Sequence, residues 1–135
     1  MTRYLLVSVV SGIFFAVMDA VINANPLAQK LYAVYRPIAR PSVNAPTGVA
    51  IDLAYGFALA GIFLLLFAAL PGESGVVKGL SFALLVWFLR VVMSAAAQWM
   101  IIPLTASTLV YMLATGLAEM LLLGIFYGLT LRPRA

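Results

Sequence analysis

The sequence predicts an all-α fold, a membrane-embedded antiparallel four-helix bundle with an interfacial amphipathic helix between helices 1 and 2. Of its 135 residues, 65% are hydrophobic and only 9% are charged, whereas about a quarter of the residues in a soluble domain carry a charge. Four apolar stretches of about 20 residues can each cross a hydrocarbon layer about 30 Å thick. These spans cover residues 4–23, 49–70, 79–102 and 107–131, and we treat residues 1–135 as a single integral membrane domain.

The first span follows Arg3 and carries one charged residue, Asp19, late in its sequence. Because a secretory signal peptide has an uninterrupted apolar core, Asp19 favours a span that is retained in the protein. At about 100° per residue, Ser8, Gly12 and Asn23 share a helix face with Asp19. Small and polar residues in one stripe are typical of membrane helices that pack closely.

The connection after the first span is the only long one. Asn25 followed by Pro26 predicts a helix start, with asparagine as the cap and proline at the first helical position. Apolar residues then recur at helical spacing, which predicts an interfacial helix over residues 26–40. Two roles stay open for it. It is either an anchor in the headgroup layer, with Tyr32 and Tyr35 as interfacial aromatic residues, or a lid over an opening between the spans.

Each of the other spans carries a charged residue. Asp52 lies early in the second span, and Arg90 and Glu119 lie near the middle of the third and fourth. Helical phase groups each charge with small or hydroxyl residues, so the four stripes can converge on one polar core. The predicted ligand or ion-coupling residues are Asp19, Asp52, Arg90, Gln98 and Glu119, supported by Asn23, Trp87, Ser94 and Thr115.

The predicted core contains one basic residue and three acidic ones. At least one acid must therefore be protonated, exposed to water or paired with a bound cation. Ionisable residues within a membrane commonly mark a pathway for a proton or a substrate. The alternative is a network that only holds the helices together, although buried ion pairs often give little net stability. The sequence leaves both interpretations open.

The later connections are short, which makes consecutive spans antiparallel neighbours. The turn "LPGESGVVKG" precedes the third span, and in "IIPLTAS" either Thr105 or Ser107 can cap the fourth. The fourth span also contains a GxxxG pattern, Gly124 and Gly128, on a face predicted to point away from Glu119. Such a pattern predicts a contact in a homo-oligomer or with a larger membrane complex.

Composition excludes several classes of function. The chain has no cysteine and no histidine, which excludes haem anchors, thiol relays and the usual zinc sites. We predict no cofactor, no metal and no catalytic residue, since no nucleophile or phosphate-binding loop is evident. The basic residues are too scattered for a nucleic-acid groove, and they suit anionic lipid headgroups instead.

The overall layout resembles small bacterial four-helix integral membrane proteins that are known only as families without an assigned function. The resemblance is carried by an acid late in the first helix, a basic aromatic loop around "YAVY" and three closely linked further spans. The opening "RYLLVSVVSGIFFAVMD" also resembles the first helix of GtrA-type flippases, whose later motifs are missing here. The first resemblance implies a multi-pass protein of the bacterial inner membrane.

Basic residues in the connections predict the orientation. Four lie on the side of the termini and three on the other side, which favours cytoplasmic termini: Arg3, Lys78, Arg132 and Arg134 against Lys30, Arg36 and Arg40.

Three functions follow from these features. The first is the binding or transport of a proton, a cation or a small polar ligand in the polar core. The second is an accessory subunit or assembly factor of a larger membrane complex. The third, an enzyme that modifies a lipid with an acid pair, is the least supported, and the sequence does not predict an enzyme.

Overall fold

The computed structural model describes residues 1–42 and 44–131, and within these ranges the chain consists of helices and turns without strands. The helices are α1 (Thr2–Ala24), α2 (Pro26–Leu31), α3 (Ala45–Leu66), α4 (Gly75–Val86), α5 (Met93–Ile101) and α6 (Ala106–Thr130). A 3₁₀ turn, Tyr32–Tyr35, follows α2, and a π-helical segment, Trp87–Val92, joins α4 to α5.

Four helical stretches are long and apolar enough to cross a membrane, namely α1, α3, the continuous run Gly75–Ile101, and α6. This confirms the all-helical architecture that the sequence predicts. Two spans begin four residues earlier than predicted, the second at residue 45 rather than 49 and the third at residue 75 rather than 79. The start of the second span has a clear cause. Asn44 caps the second span, because its side chain accepts a hydrogen bond from the Thr47 N–H at 3.1 Å. The fourth span is capped by Thr105, one of the two predicted candidates.

Glycine brings α1 and α3 into close contact. A Cβ atom on Gly56 would lie 2.4 Å from the Ser8 carbonyl oxygen, and one on Gly12 would lie 2.8 Å from the Leu53 Cα atom. The two backbones therefore touch where a larger residue would hold them apart. The stripe of Ser8 and Gly12 that the sequence predicts as a packing face is buried in this contact.

Glycine also brings α4 and α6 together, at the GxxxG pattern of the fourth span. A Cβ atom on Gly79 would lie 1.9 Å from the Gly124 carbonyl oxygen, and one on Gly128 would lie 2.3 Å from the Gly75 carbonyl oxygen. The GxxxG pattern predicts a contact of Gly124 and Gly128 with another chain. Both glycines are buried within this chain, so they offer no outer surface for such a contact.

Aromatic side chains fill the half of the bundle nearer the connection between α3 and α4. Phe63 and Tyr127 are fully buried and Phe82 nearly so, and the Phe63 ring lies 5.2 Å from Phe82 and 5.6 Å from Tyr127. The Tyr127 O–H donates to Ser11 Oγ at 3.0 Å. This half of the bundle is closed, because large rings pack it and its buried phenol is hydrogen-bonded.

The first connection is less helical than predicted. The expected helix over residues 26–40 is only the six-residue α2 and the 3₁₀ turn after it, followed by turns around Pro37. Pro37 lacks the backbone N–H that would continue the helical hydrogen bonds, although Arg36 before it keeps helical backbone angles and the Ala39 N–H still donates to the Tyr35 carbonyl oxygen. The predicted start is confirmed, since the Asn25 side chain accepts from the Ala28 N–H at 2.8 Å.

Candidate functional site

An open cavity of about 380 Å³ lies between α1, α3, α6 and the segment that contains Arg90. Small-molecule sites in proteins usually have volumes of about 300–1,000 Å³. Six of the nine residues that the sequence assigned to the polar core line this cavity: Asn23, Arg90, Ser94, Gln98, Thr115 and Glu119.

The π-helical segment positions Arg90 on the cavity wall. Its first residue, Trp87, donates its indole N–H to the Leu113 carbonyl oxygen at 3.0 Å. Further along, Val91 packs against Gly116, where a Cβ atom would come within 2.7 Å of a Val91 methyl group. These two contacts hold the segment against α6. Single turns of π-helix are rare and are frequently found at functional sites.

The guanidinium of Arg90 lies against aromatic rings rather than against a carboxylate. Its central carbon is 4.5 Å from the centre of the Tyr55 ring and 5.2 Å from that of Phe15, distances at which a cation is attracted to a ring face. No described carboxylate comes within the 4.0 Å that defines an ion pair with Arg90. The predicted network is therefore present as a cluster, without a direct bond between Arg90 and an acid.

The three acids gather on one side of this cluster. The carboxyl group of Asp19 lies within hydrogen-bonding reach of those of Asp52 and Glu119, and Asp19 and Glu119 both interact electrostatically with Arg90. Two carboxyl groups can hydrogen-bond to each other only if one of them carries a proton. The arrangement can therefore hold a proton between carboxyl groups, next to a positive charge.

Glu119 is the most enclosed charged group of the cavity. Only 4% of its surface is exposed, and no donor of the described chain reaches its Oε1 atom. The carboxyl group of Asp19 can donate to Glu119 only if the two groups share a proton, because two ionised carboxylates are both acceptors. Because buried polar atoms are nearly always hydrogen-bonded, an unsatisfied one needs an explanation, and a ligand or an ion is one.

The cavity opens toward the first connection. A second opening, of about 420 Å³, shares Asn23, Tyr32, Gln98 and Met112 with it and is bounded by Tyr35. The Tyr35 O–H donates to Gln98 Oε1, and the Gln98 amide N–H donates to Ser94 Oγ at 3.1 Å. Burial, with smaller contributions from nearby tyrosines, raises the pKa of Tyr32 to about 12, so this side chain is neutral at physiological pH.

The first connection is held against the cavity mouth by side-chain hydrogen bonds. Thr108 Oγ1 donates to the Leu31 carbonyl oxygen at 3.0 Å, and the Asn25 amide N–H donates to the Tyr111 hydroxyl at 2.8 Å. Ala28 is fully buried in this contact, whereas Ile38 remains 71% exposed. Of the two predicted roles, these contacts favour a lid, and the exposed apolar residues remain free to contact lipid.

Thr108→Val tests this attachment. Valine keeps the shape of the side chain but loses the hydrogen bonds of the Thr108 hydroxyl to Leu31 and to Thr105. Loss of the bond to Leu31 should cost the lid about 1 kcal/mol of local stability, the net value of one hydrogen bond. Hydrogen exchange measured by mass spectrometry should show faster exchange of the α2 amides. The exposed neighbour Ser107, changed to alanine, is the matched control. Unchanged exchange in α2 would show that this bond does not hold the lid.

Three predicted core residues lie outside the cavity wall. Asp19 and Asp52, both half-buried, interact electrostatically with Glu119, and Trp87 packs against the apolar core. Among the described residues, no set of three acidic side chains is arranged to hold a metal ion.

The sequence analysis did not identify the aromatic partners of Arg90. Phe15 lies one helical turn before Asp19 and Tyr55 lies three residues after Asp52, so helical spacing from each acid could have pointed to them. Nothing in the residue types signals the π-helical segment or the approach of Val91 to Gly116.

A scan against protein-family models and searches of curated proteins and of solved structures found no match to this chain. The predicted resemblance to small bacterial membrane proteins therefore stays a prediction, and the functional argument depends on the site itself.

Proposed function

We propose that this protein is an integral membrane protein of four antiparallel spans that binds a small polar ligand in the cavity beside Arg90. The ligand enters from the side of the first connection. The observation that carries the proposal is the pair of unsatisfied groups on the cavity wall, a guanidinium without a carboxylate partner and the buried Glu119 oxygen without a donor. A network that only held helices together would be expected to pair these groups with each other.

The packing order of the helices supports the antiparallel arrangement. The Tyr4 O–H donates to the Phe57 carbonyl oxygen, whereas Gly12, two turns later in α1, meets the earlier residue Leu53. The same reversed order is found between α4 and α6. Gly75 contacts Gly128, whereas the later residue Gly79 contacts the earlier residue Gly124.

The two ends of the bundle differ, which favours binding from one side over passage through the protein. The polar cavity opens toward the first connection, and the aromatic residues Phe63, Phe82 and Tyr127 close the other half. Transport of the ligand would need these rings to move. The orientation of the bundle in the membrane is predicted from the count of basic residues in the connections. Two of the counted residues, Arg132 and Arg134, lie outside the described residues.

Cysteine labelling tests whether the cavity holds water. The chain contains no cysteine, so Met112→Cys introduces a single thiol on the cavity wall. Val110 lies two residues earlier on α6 with 64% of its surface exposed, and Val110→Cys is the matched control at the same depth on the outer face. Both variants are purified into phosphatidylglycerol nanodiscs and treated with a charged, hydrophilic thiol reagent.

Met112→Cys should react at least about tenfold faster than Val110→Cys, because a thiol in apolar surroundings has little of the reactive thiolate. Equal, slow labelling of the two variants would mean that the cavity is dry or faces lipid, and the binding proposal would then be wrong.

The alternative function as a subunit of a larger complex has lost its most specific support. Gly124 and Gly128 pack against α4, and the remaining outer faces are apolar without a distinguishing pattern. The lipid-modifying enzyme has no further support either. The hydroxyls of Ser94 and Thr115 lie on the cavity wall, but Ser94 accepts from the Gln98 amide and Thr115 donates to the Tyr111 carbonyl oxygen, so neither is paired with an acid.

A further inference from the structure

The cavity presents both signs of charge to whatever occupies it. Arg90 and Glu119 lie on the same wall, and in the described part of the chain neither has a partner that satisfies it fully. We propose that the ligand is a small zwitterion that carries an acid group and a primary ammonium group. This inference rests on the proposed binding function and names its ligand class.

Arg90 would hold the acid group. Its contacts with Tyr55 and Phe15 involve the charge of the guanidinium and use none of its N–H donors. The planar fork of an arginine matches the two oxygens of a carboxylate or phosphate, with two parallel hydrogen bonds. Because the site lies on a predicted membrane helix, an arginine there needs such a partner or water.

Glu119 would hold the ammonium group. An ammonium group offers three N–H donors, and Glu119 lines the cavity with one oxygen, Oε1, that no donor of the described chain reaches. Because Oε1 is enclosed, the carboxyl group has to turn toward the cavity to meet the ammonium group. A proton shared with Asp19 would satisfy only part of the accepting capacity of the two carboxyl groups. The hydroxyl of Thr115, on the same wall one turn before Glu119, is a second acceptor for the ammonium group.

A ligand with a single charge fits the wall less well. A simple anion would leave Glu119 without a donor and would face three carboxyl groups, and a simple cation would leave Arg90 without a counter-ion. A quaternary ammonium is also disfavoured, because such groups are recognised by free aromatic faces. Of the two aromatic residues on the wall, Tyr55 is occupied by Arg90 and Tyr32 packs against Tyr35 and Tyr111. A primary ammonium needs hydrogen-bond acceptors, which this wall supplies.

The volume of about 380 Å³ limits the ligand to a small molecule or a headgroup. Two sources share the required chemistry. A free amino acid carries a carboxylate and an ammonium group, and the headgroup of phosphatidylethanolamine carries a phosphate and an ammonium group. The mouth beside the first connection, at the predicted membrane surface, is open to both.

Protection of Met112→Cys from labelling tests the ligand class. The protein in phosphatidylglycerol nanodiscs is mixed with one probe at a time, and all probes are used at the same concentration and ionic strength. Glycine and O-phosphoethanolamine are the zwitterions, ethanolamine is the cation and acetate is the anion. A zwitterion at ten times its Kd should slow labelling about tenfold, whereas ethanolamine and acetate should not change the rate.

Two variants test the roles of the charged residues in the Met112→Cys background. Arg90→Gln should raise the half-protecting concentration of the zwitterion at least about tenfold, because the variant loses a charge-assisted hydrogen bond to the acid group. Without the positive charge of Arg90, ethanolamine should now protect the thiol. Arg90→Lys keeps the charge without the fork, so it should retain part of the protection even if the glutamine variant folds poorly. Glu119→Gln should weaken glycine without creating a site for ethanolamine.

A second nanodisc composition distinguishes the two sources. If the headgroup is the ligand, nanodiscs that contain phosphatidylethanolamine should slow labelling without any added probe. If the ligand is soluble, labelling should slow only when a free zwitterion is added. Either result supports a zwitterion.

Two results would overturn the inference while leaving the proposed binding function intact. In the first, Met112→Cys labels rapidly but ethanolamine protects it as well as glycine does, which would identify a simple cation. In the second, it labels rapidly and neither a zwitterion nor phosphatidylethanolamine slows the reaction. By contrast, a thiol that never reacts would contradict the proposed function itself.

Discussion

Arg90→Leu should destabilise the protein by about 2–4 kcal/mol, because it removes two cation–π contacts and the one positive charge that the described residues place beside the clustered carboxyl groups. Asp19, Asp52 and Glu119 would then repel one another without compensation. Thermal unfolding in nanodiscs, followed by helical circular dichroism, measures the loss.

Neutralising an acid should rescue this variant. The double variant Arg90→Leu with Glu119→Gln should recover at least half of the lost stability, since residues in one network show coupling energies of about 0.5–3 kcal/mol. Arg3→Leu, at the exposed start of α1, is the control for loss of a positive charge. Wild-type stability in the Arg90→Leu single variant would show that the central charge cluster has no energetic role.

Gly79→Ala should be the most damaging small substitution in the bundle. The added methyl group would lie 1.9 Å from the Gly124 carbonyl oxygen, and neither backbone can give way without separating α4 from α6. Overpacking typically costs about 1–3 kcal/mol, and we expect about 3 kcal/mol here because the clash is with backbone. The loss should appear as a lower unfolding temperature in the same assay.

Two other glycines serve as controls for this prediction. Gly48, in the first turn of α3, has nothing within 4 Å of the added methyl group, and at Gly61 the nearest atom is 3.4 Å away. Alanine at Gly48 should be neutral or stabilising by up to about 1 kcal/mol, because it has the higher helix propensity. A similar loss of stability at Gly48 and Gly79 would contradict the role of close helix packing.

Several features of the helices can be predicted from local sequence patterns. Asn25 before Pro26 and Thr105 before the fourth span are confirmed helix caps, because capping depends on residue type and on neighbours within four positions. The four spans follow from apolar length alone. The interfacial helix is shorter than predicted, because apolar spacing continues to Ile38 while Pro37 supplies no N–H to the helical ladder and the backbone continues only as turns.

The GxxxG pattern shows what a local sequence pattern does not predict. Gly124 and Gly128 are a close-packing surface, as the pattern predicts, but the pattern does not specify which helix packs on it. The partner proved to be α4 of the same chain, at Gly75 and Gly79. Two glycine pairs spaced alike on neighbouring helices satisfy each other, and this match depends on how the two helices are aligned.

The sequence by itself determined four apolar helices, the cap at Asn25, the choice of Thr105 or Ser107 as a cap, and the charges that lie within the helices. All of these depend on composition and on spacing within one helix. The tertiary structure decided which groups meet: Arg90 with the rings of Tyr55 and Phe15, Asp19 with Glu119, and the lid with the cavity mouth. The physical reason is that a helix sequence fixes the face of each side chain, whereas contact between helices depends on their relative shift and rotation. In this protein, a π-helical turn and four close glycine contacts determine the relative shift and rotation of the helices.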